Sequence, residues 1–239
     1  MIPKVIHYCW LSGEKYPRLV RKCIKSWKKL LPDYEIKLWD ANSFDFDSVP
    51  FVKEAFEKKK WAFVSDYIRL YALYTEGGIY LDSDVQVFKR FDEWHQYNFF
   101  TGIETRDMNH SEFYLESAIM GAVKGNAFIK QCLTYYESTP FIKLDGTFNT
   151  CPIPNIMTPI FVNQYGWTRK DATQAFEDNT IIFSLDLIAD TYCEIKESVR
   201  LYHWNNLSWT SKANRGMLYN FCYKYDLLKY YKILEKLIH

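Results

Sequence analysis

The sequence predicts an α/β protein, with a mixed, mostly parallel sheet flanked by helices. Three observations predict it. The first forty residues read as strand, helix, strand, the arrangement that joins parallel neighbours. A later helix stops at Gly77-Gly78 and passes straight into the apolar Ile79-Tyr80-Leu81. Beyond it, short apolar runs alternate with segments of helical period.

Lys4 to Trp10 is a buried-type strand ending in a Ser-Gly turn. From Pro17 to Leu31 the apolar residues Leu19, Val20, Cys23, Ile24 and Trp27 recur at helical spacing, and Pro32-Asp33 ends the run. Glu35 to Trp39 alternates as a second strand. Helices are expected over Pro50 to Lys59 and Ala62 to Thr75, then the strand Ile79 to Leu81, continued by Val85 to Phe88. Strands follow at Asn98 to Ile103 and Ser117 to Val123, and a helix at Gly125 to Tyr136. Residues 138–180 are rich in Pro, Thr and Asn and read as loops and short helices. Late strands are expected at Ile181 to Phe183 and Val199 to His203, and closing helix at Leu218 to Ile238.

A length of 239 residues suits one large domain. With 48% hydrophobic and 25% charged residues the chain has a folded, globular composition. Aromatics at 18% exceed what a core needs and suit flat stacking surfaces for sugars or bases. A net charge of +1 argues against nucleic acid as the main partner. No apolar run approaches the roughly 20 residues of a spanning helix. The start Met1-Ile2-Pro3-Lys4 shows no signal-peptide pattern, so a cytoplasmic location is expected. The six cysteines are scattered with no CxxC, and buried free thiols are expected rather than zinc ligands or a disulfide framework.

The chemistry concentrates between Ser65 and Asp84. Asp66 and Arg69 are three apart on a helix and share a face. The next strand delivers Asp82 and Asp84 at its carboxyl end, where open α/β sheets bind ligands. Two apart in a regular strand, they point the same way. Like charges aimed together need a cation between them, and a hard divalent ion with open positions for phosphate oxygens is the natural partner.

The run Ser65-Asp66…Arg69…Gly77-Gly78-Ile79-Tyr80-Leu81-Asp82-Ser83-Asp84 resembles the DxD sugar-binding glycosyltransferases. These include bacterial capsular and lipopolysaccharide sugar transferases, the yeast outer-chain mannosyltransferase and the clostridial glucosylating toxins. Ile2 to Trp10 resembles their opening strand, and His203-Trp204-Asn205-Asn206-Leu207-Ser208-Trp209 their closing motif, with Trp204 where many bacterial relatives carry a second histidine. The resemblance implies a GT-A fold in one domain: a Rossmann-like nucleotide-sugar-binding half over 1–103, an acceptor-binding half with the closing motif over 104–210, and a basic aromatic tail over 211–239.

It further implies retaining transfer of a hexose or N-acetylhexosamine from a nucleotide sugar, UDP-linked, to a saccharide or lipid-linked saccharide in capsule or lipopolysaccharide synthesis, with Mn2+ or Mg2+. By position, Trp10 stacks on the base. Ser65 and Tyr80 line the ribose and donor pocket, and Asp66 and Arg69 hold the donor sugar. Asp82 touches ribose and the metal shell, and Asp84 binds the metal. His203, Ser208 and Trp209 close over pyrophosphate and metal, His203 as a metal ligand. The catalytic set is thus Asp66, Arg69, Asp82 and Asp84.

Two other readings stay open: a nucleotide-sugar hydrolase, and a non-catalytic sugar- or calcium-binding module. Lys15, Arg18, Arg21, Lys22, Lys25, Lys28 and Lys29 crowd the first helix with no acid among them. Lys212 to His239 is also basic and aromatic, with Leu227, Tyr231, Leu234 and Ile238 at helical spacing, which suits peripheral contact with an anionic membrane.

Overall fold

The computed structural model describes residues 1–106 and 109–205. β1 (Val5–Cys9) opens the chain with a buried middle. α1 (Arg18–Leu30) buries Leu19, Val20, Cys23, Ile24 and Trp27 and turns its lysines outward. β2 (Glu35–Trp39) runs parallel to β1, completing the expected β-α-β unit. α2 (Pro50–Glu57) begins on a proline, whose fixed φ suits a first helical position, and packs on α3 (Trp61–Glu76).

Gly77 ends α3 with φ 72°, and Gly78, at φ 113°, opens β3 (Gly78–Leu81). Both positions need glycine for more than conformation. A Cβ on Gly78 would lie 2.8 Å from the Val5 carbonyl oxygen and 3.0 Å from His7 Nε2. β3 pairs in parallel with β1, so the helix-to-strand passage docks directly onto the opening unit.

β4 (Val85–Val87) does not continue β3 in its sheet, as the sequence suggested. After the turn at 82–84 it leaves for a second, three-stranded sheet with β9 (Ile188–Asp190) and β10 (Leu201–His203), in the order β4-β10-β9. Trp27, fully buried, donates its indole N–H to the Val85 carbonyl at 2.8 Å and pins β4 under α1.

β5 (Phe99–Thr105), β6 (Phe113–Ala122), β7 (Gln174–Phe176) and β8 (Thr180–Ile182) complete the large sheet, in the order β2-β1-β3-β6-β5-β8-β7. The pairings make β1, β2, β3, β5 and β8 run one way and β6 and β7 the other, a mixed, mostly parallel sheet. α4 (Ala127–Ser138) is capped by the Asn126 side chain, which accepts from Ile129 N at 3.1 Å. α5 (Ile153–Tyr165) corrects the expectation of loops and short helices. Its prolines sit at the first turn and at Pro159, and its apolar face packs on β6 and α4.

Helices α2 to α5 share one core layer with Tyr80, while Ile79 and Leu81 face the opposite layer with Trp27 and Val85. The alternation of β3 therefore aims Tyr80 at α3. Of the five described cysteines only Cys23 and Cys132 are buried; Cys9, Cys151 and Cys193 are half-buried. No helix among the described residues is long and apolar enough to cross a membrane. The closing helix at Leu218 to Ile238 and the rest of the tail lie outside the described residues, as does Cys222.

His7, fully buried in β1, ties the opening unit together. Its Nε2–H donates to the Gly77 carbonyl at 2.8 Å, and its Nδ1 accepts from the Trp39 indole N–H at 3.2 Å. This pair of bonds requires the neutral ring, and burial accordingly lowers its pKa below the usual 6.5. As pH falls, the unfolded chain takes up this proton first, so the contribution of His7 is intact above about 6.5 and declines below it. His7→Phe should cost about 1–3 kcal/mol at pH 7.5, chiefly for the orphaned Trp39 N–H. Urea unfolding at pH 7.5 and 5.5 tests this. The gap between wild type and variant should narrow at the lower pH, and an unchanged gap refutes the neutral-ring assignment.

Candidate active site

The residues singled out between Ser65 and Asp84 meet where the carboxyl end of β3 passes the middle of α3. Arg69 is their hub, and it is buried. Its Nη2 lies 3.0 Å from Asp66 Oδ1 and 3.4 Å from Asp82 Oδ1. Nη1 donates to the Ser117 carbonyl at 2.9 Å, and Nε and Nη2 reach Ser65 O and Oγ, both at 3.3 Å. The guanidinium also lies 4.8 Å from the centre of the Tyr80 ring. Burial works against its charge, but Asp82, Tyr80 and Asp66 hold it firmly protonated.

Arg69 thus donates to protein oxygens and holds both Asp66 and Asp82. Tyr80 is buried and donates its hydroxyl to Asp82 Oδ1 at 2.7 Å, so it supports Asp82 from beneath. Ser65 donates to Ala62 O at 2.7 Å while accepting from Arg69. Asp66 is buried, and burial pushes its pKa up to about 7, the nearby Arg69 only partly offsetting this.

Asp82 and Asp84 do converge, but not by strand alternation. β3 ends at Leu81, and a turn closed by the bond from Val85 N to Asp82 O, 2.9 Å, brings them together. His203 joins them because β10 pairs antiparallel with β4, in a register that sets His203 opposite Val85. One ligand atom from each of Asp82, Asp84 and His203 lies within 4.8 Å of the others. Ligands of a divalent ion stand about 2.0–2.6 Å from it, so atoms on a shared ion fall up to roughly 4–5 Å apart. Two carboxylates and an imidazole at this spacing fit Mn2+, Mg2+ or Zn2+.

Buried acids surround the cluster. Glu116 is buried, and its Oε2 accepts from His203 Nδ1 at 3.2 Å. Burial and the neighbouring Glu116 push Glu104 up to about 7 and Asp190 up to about 6. For His203, burial would lower the pKa, but Glu116 and Asp84 raise it to about 10. This concentration of negative charge favours a cation in front of it.

Sequence reading missed Glu116, Glu104 and Asp190. The available signal was Glu116 itself, a lone carboxylate inside the run Leu115 to Ala122, where burial is costly without a partner. Trp10 stands half-buried just beyond β1, edge-on to Tyr16 at a centroid distance of 5.0 Å, its N–H bonded to the Glu14 carbonyl at 2.7 Å. Ser208 and Trp209 lie outside the described residues.

The fold is of the GT-A class. A glycosyltransferase involved in glycosylating the major capsid of the virus PBCV-1 shares it, with a TM-score of 0.51 at 14% identity over 90% of this chain and 98% of that one. Residues 17–101 match the family described as the glycosyltransferase sugar-binding region containing the DXD motif. Two curated relatives align with it. Inositol phosphoceramide mannosyltransferase 3 of Schizosaccharomyces pombe is 30% identical over 146 residues, covering 54% of this chain and 36% of its own length. A glycosyltransferase of Acanthamoeba polyphaga mimivirus is 31% identical over 106 residues, 42% of each chain. The chain thus matches only about two-fifths of either relative.

Proposed function

We propose that this protein is a metal-dependent glycosyltransferase that moves a hexosyl or N-acetylhexosaminyl group from a nucleotide sugar, UDP-linked, to a saccharide or lipid-linked acceptor with retention of configuration. The observation that carries the reading is the Asp82, Asp84 and His203 cluster at the end of β3. Mn2+ or Mg2+ held there would neutralise the charge of the departing diphosphate. The chain's own residues do the rest. Tyr80 and Arg69 fix Asp82 from below, and Asp66, ion-paired with Arg69, has its carboxyl poised between its two protonation states near neutrality. Asp66 in this state can accept from or donate to a sugar hydroxyl.

Asp66 is ion-paired with Arg69 and Glu116 is bonded to His203, which makes each a weaker nucleophile for a covalent sugar intermediate. We favour same-face attack through an oxocarbenium-like transition state, with the departing phosphate taking the acceptor's proton. The mannosyltransferase relative carries a lipid in its name, which supports a lipid-linked acceptor. A role in capsule or lipopolysaccharide synthesis belongs to the same proposal. The imidazole among the three ligands fits a calcium module poorly, since calcium takes oxygen ligands.

A donor screen tests the proposal: UDP- and GDP-sugars, mannose donors included, with Mn2+, following nucleoside diphosphate release with and without saccharide acceptors. Release that depends on acceptor supports transfer. Equal release without acceptor makes the protein a hydrolase, and no release with any donor overturns the enzyme reading.

Trp10→Ala should raise the donor KM about 10- to 100-fold with a smaller change in kcat. A stacked base contributes about 1–3 kcal/mol, present in ground and transition states alike. Steady-state kinetics checks it, and an unchanged KM in a folded variant assigns Trp10 to packing against Tyr16.

A further inference from the structure

The centre of the large sheet contains an irregularity that touches both wings of the candidate metal site. β5 and β6 pair with Thr101 opposite Met120 and Ile103 opposite Leu115. Gly102 alone therefore spans the stretch covered on β6 by Glu116, Ser117, Ala118 and Ile119, an enlarged β-bulge. The Thr101 hydroxyl staples it, reaching the Glu116 carbonyl and, at 2.8 Å, the Ile119 carbonyl. On the other side, Asp82 N donates to Ala118 O at 2.8 Å.

The two residues at the head of the bulge then divide the work. Ser117 presents its carbonyl to Arg69 Nη1 at 2.9 Å, and Arg69 holds Asp82. Glu116 turns its carboxylate the other way. One oxygen, Oε1, accepts from Ala118 N at 2.8 Å, which locks the side chain against its own bulge. The other, Oε2, accepts from His203 Nδ1 at 3.2 Å, so His203 Nε2 faces Asp84 Oδ1 at 3.6 Å. An unbulged β6 would bring neither the Ser117 carbonyl nor the Glu116 carboxylate to these places.

We infer that Glu116 is a positioning residue for the metal site. It fixes the ring orientation of His203 through Nδ1, leaves Nε2 for the ion, and does so from a bulge that anchors the Asp82 side through Arg69. This rests on the metal-site reading above. A carboxylate behind a ligating histidine raises its basicity and fixes its tautomer, and loss of such a partner weakens metal affinity 10- to 100-fold.

The test uses the full chain and Mn2+ alone, with free Mn2+ read by electron paramagnetic resonance, and needs no substrate. Glu116→Gln preserves size and should raise the Mn2+ dissociation constant 10- to 100-fold, with Asp84→Asn as the control for a lost ligand. Nitrogen-15 NMR of the metal-free protein supplies the second readout. Wild type should show a downfield, hydrogen-bonded Nδ1–H for His203, and Glu116→Gln should lose that shift. Mn2+ affinity of Glu116→Gln within twofold of wild type, beside a weakened Asp84→Asn, overturns the inference. If Asp84→Asn binds Mn2+ as wild type does, the metal reading itself has failed, and an Nδ1–H signal unmoved by Glu116→Gln then overturns the positioning role as well. Should Glu116→Gln not fold, the wild-type spectrum decides: a His203 without a hydrogen-bonded Nδ1–H refutes the assignment.

Discussion

Asp84→Asn should lower turnover about a thousandfold or more, a loss of about 4 kcal/mol of transition-state stabilisation. Asp84 is buried, while the Asp82 side chain retains 26% exposure and has Tyr80 and Arg69 beneath it. The Asp84 carboxylate faces His203, and its carbonyl accepts from Trp204 N at 3.2 Å, so its backbone is held by the segment that carries His203. An amide at this position keeps the shape and removes one negative charge from the ligand set. Asp82→Asn should be nearly as severe. Steady-state rates across a Mn2+ titration, with circular dichroism to verify folding, give the measurement. Full activity of Asp84→Asn, or wild-type activity undiminished by excess chelator, would exclude a metal-dependent reaction.

Arg69→Met should be the most destabilising substitution among the site residues, at about 3–5 kcal/mol. Its side chain is only 5% exposed and compensates the Asp66 and Asp82 carboxylates together. Removing one partner of a buried ion pair leaves an uncompensated charge, which costs far more than the pair itself contributes. For a chain of this length that corresponds to a fall in Tm of roughly 10 °C. Arg69→Met with Asp66→Asn should recover part of the loss, since the double variant removes one orphaned charge along with the cation; couplings of this kind run about 0.5–3 kcal/mol. Urea unfolding of the two single variants and the double variant completes the cycle. Strict additivity would mean that Asp66 and Arg69 do not act as a pair.

Local features made much of this legible in sequence. The β-α-β opening showed in the apolar period of α1 and the alternation of β2, and the end of α3 showed in Gly77-Gly78, because each depends on residues within a few positions of one another. Asp82, Asp84 and His203 were recognisable as a set through resemblance. The physical route to their convergence was not, since a three-residue apolar run such as Val85 to Val87 carries no mark of which sheet it joins. α5 was hidden by Pro152, Pro154 and Pro159, which read as loop although two of them sit at the helix start. The work of Arg69 and Tyr80 beneath Asp82, and of Glu116 behind His203, depends on contacts between distant segments, to which periodicity is blind.

The pairing of β4 with β10 has a consequence for the order of events on the ribosome. Gln86 and Trp204, hydrogen-bonded across that ladder, are 118 residues apart. At synthesis rates of about 5–20 residues per second, the growing chain carries both aspartates for roughly 6–24 s before the histidine is made. The opening strands, α1 and α3 can already collapse in that interval, but β4 has no partner strand and Asp84 stands without its third companion. Closing so long a loop also carries an entropic penalty that the later strands must offset. His203 therefore joins Asp82 and Asp84 only once β10, the last strand among the described residues, has been made, and a nascent chain that already displays the Asp82-Ser83-Asp84 turn still lacks the assembled cluster.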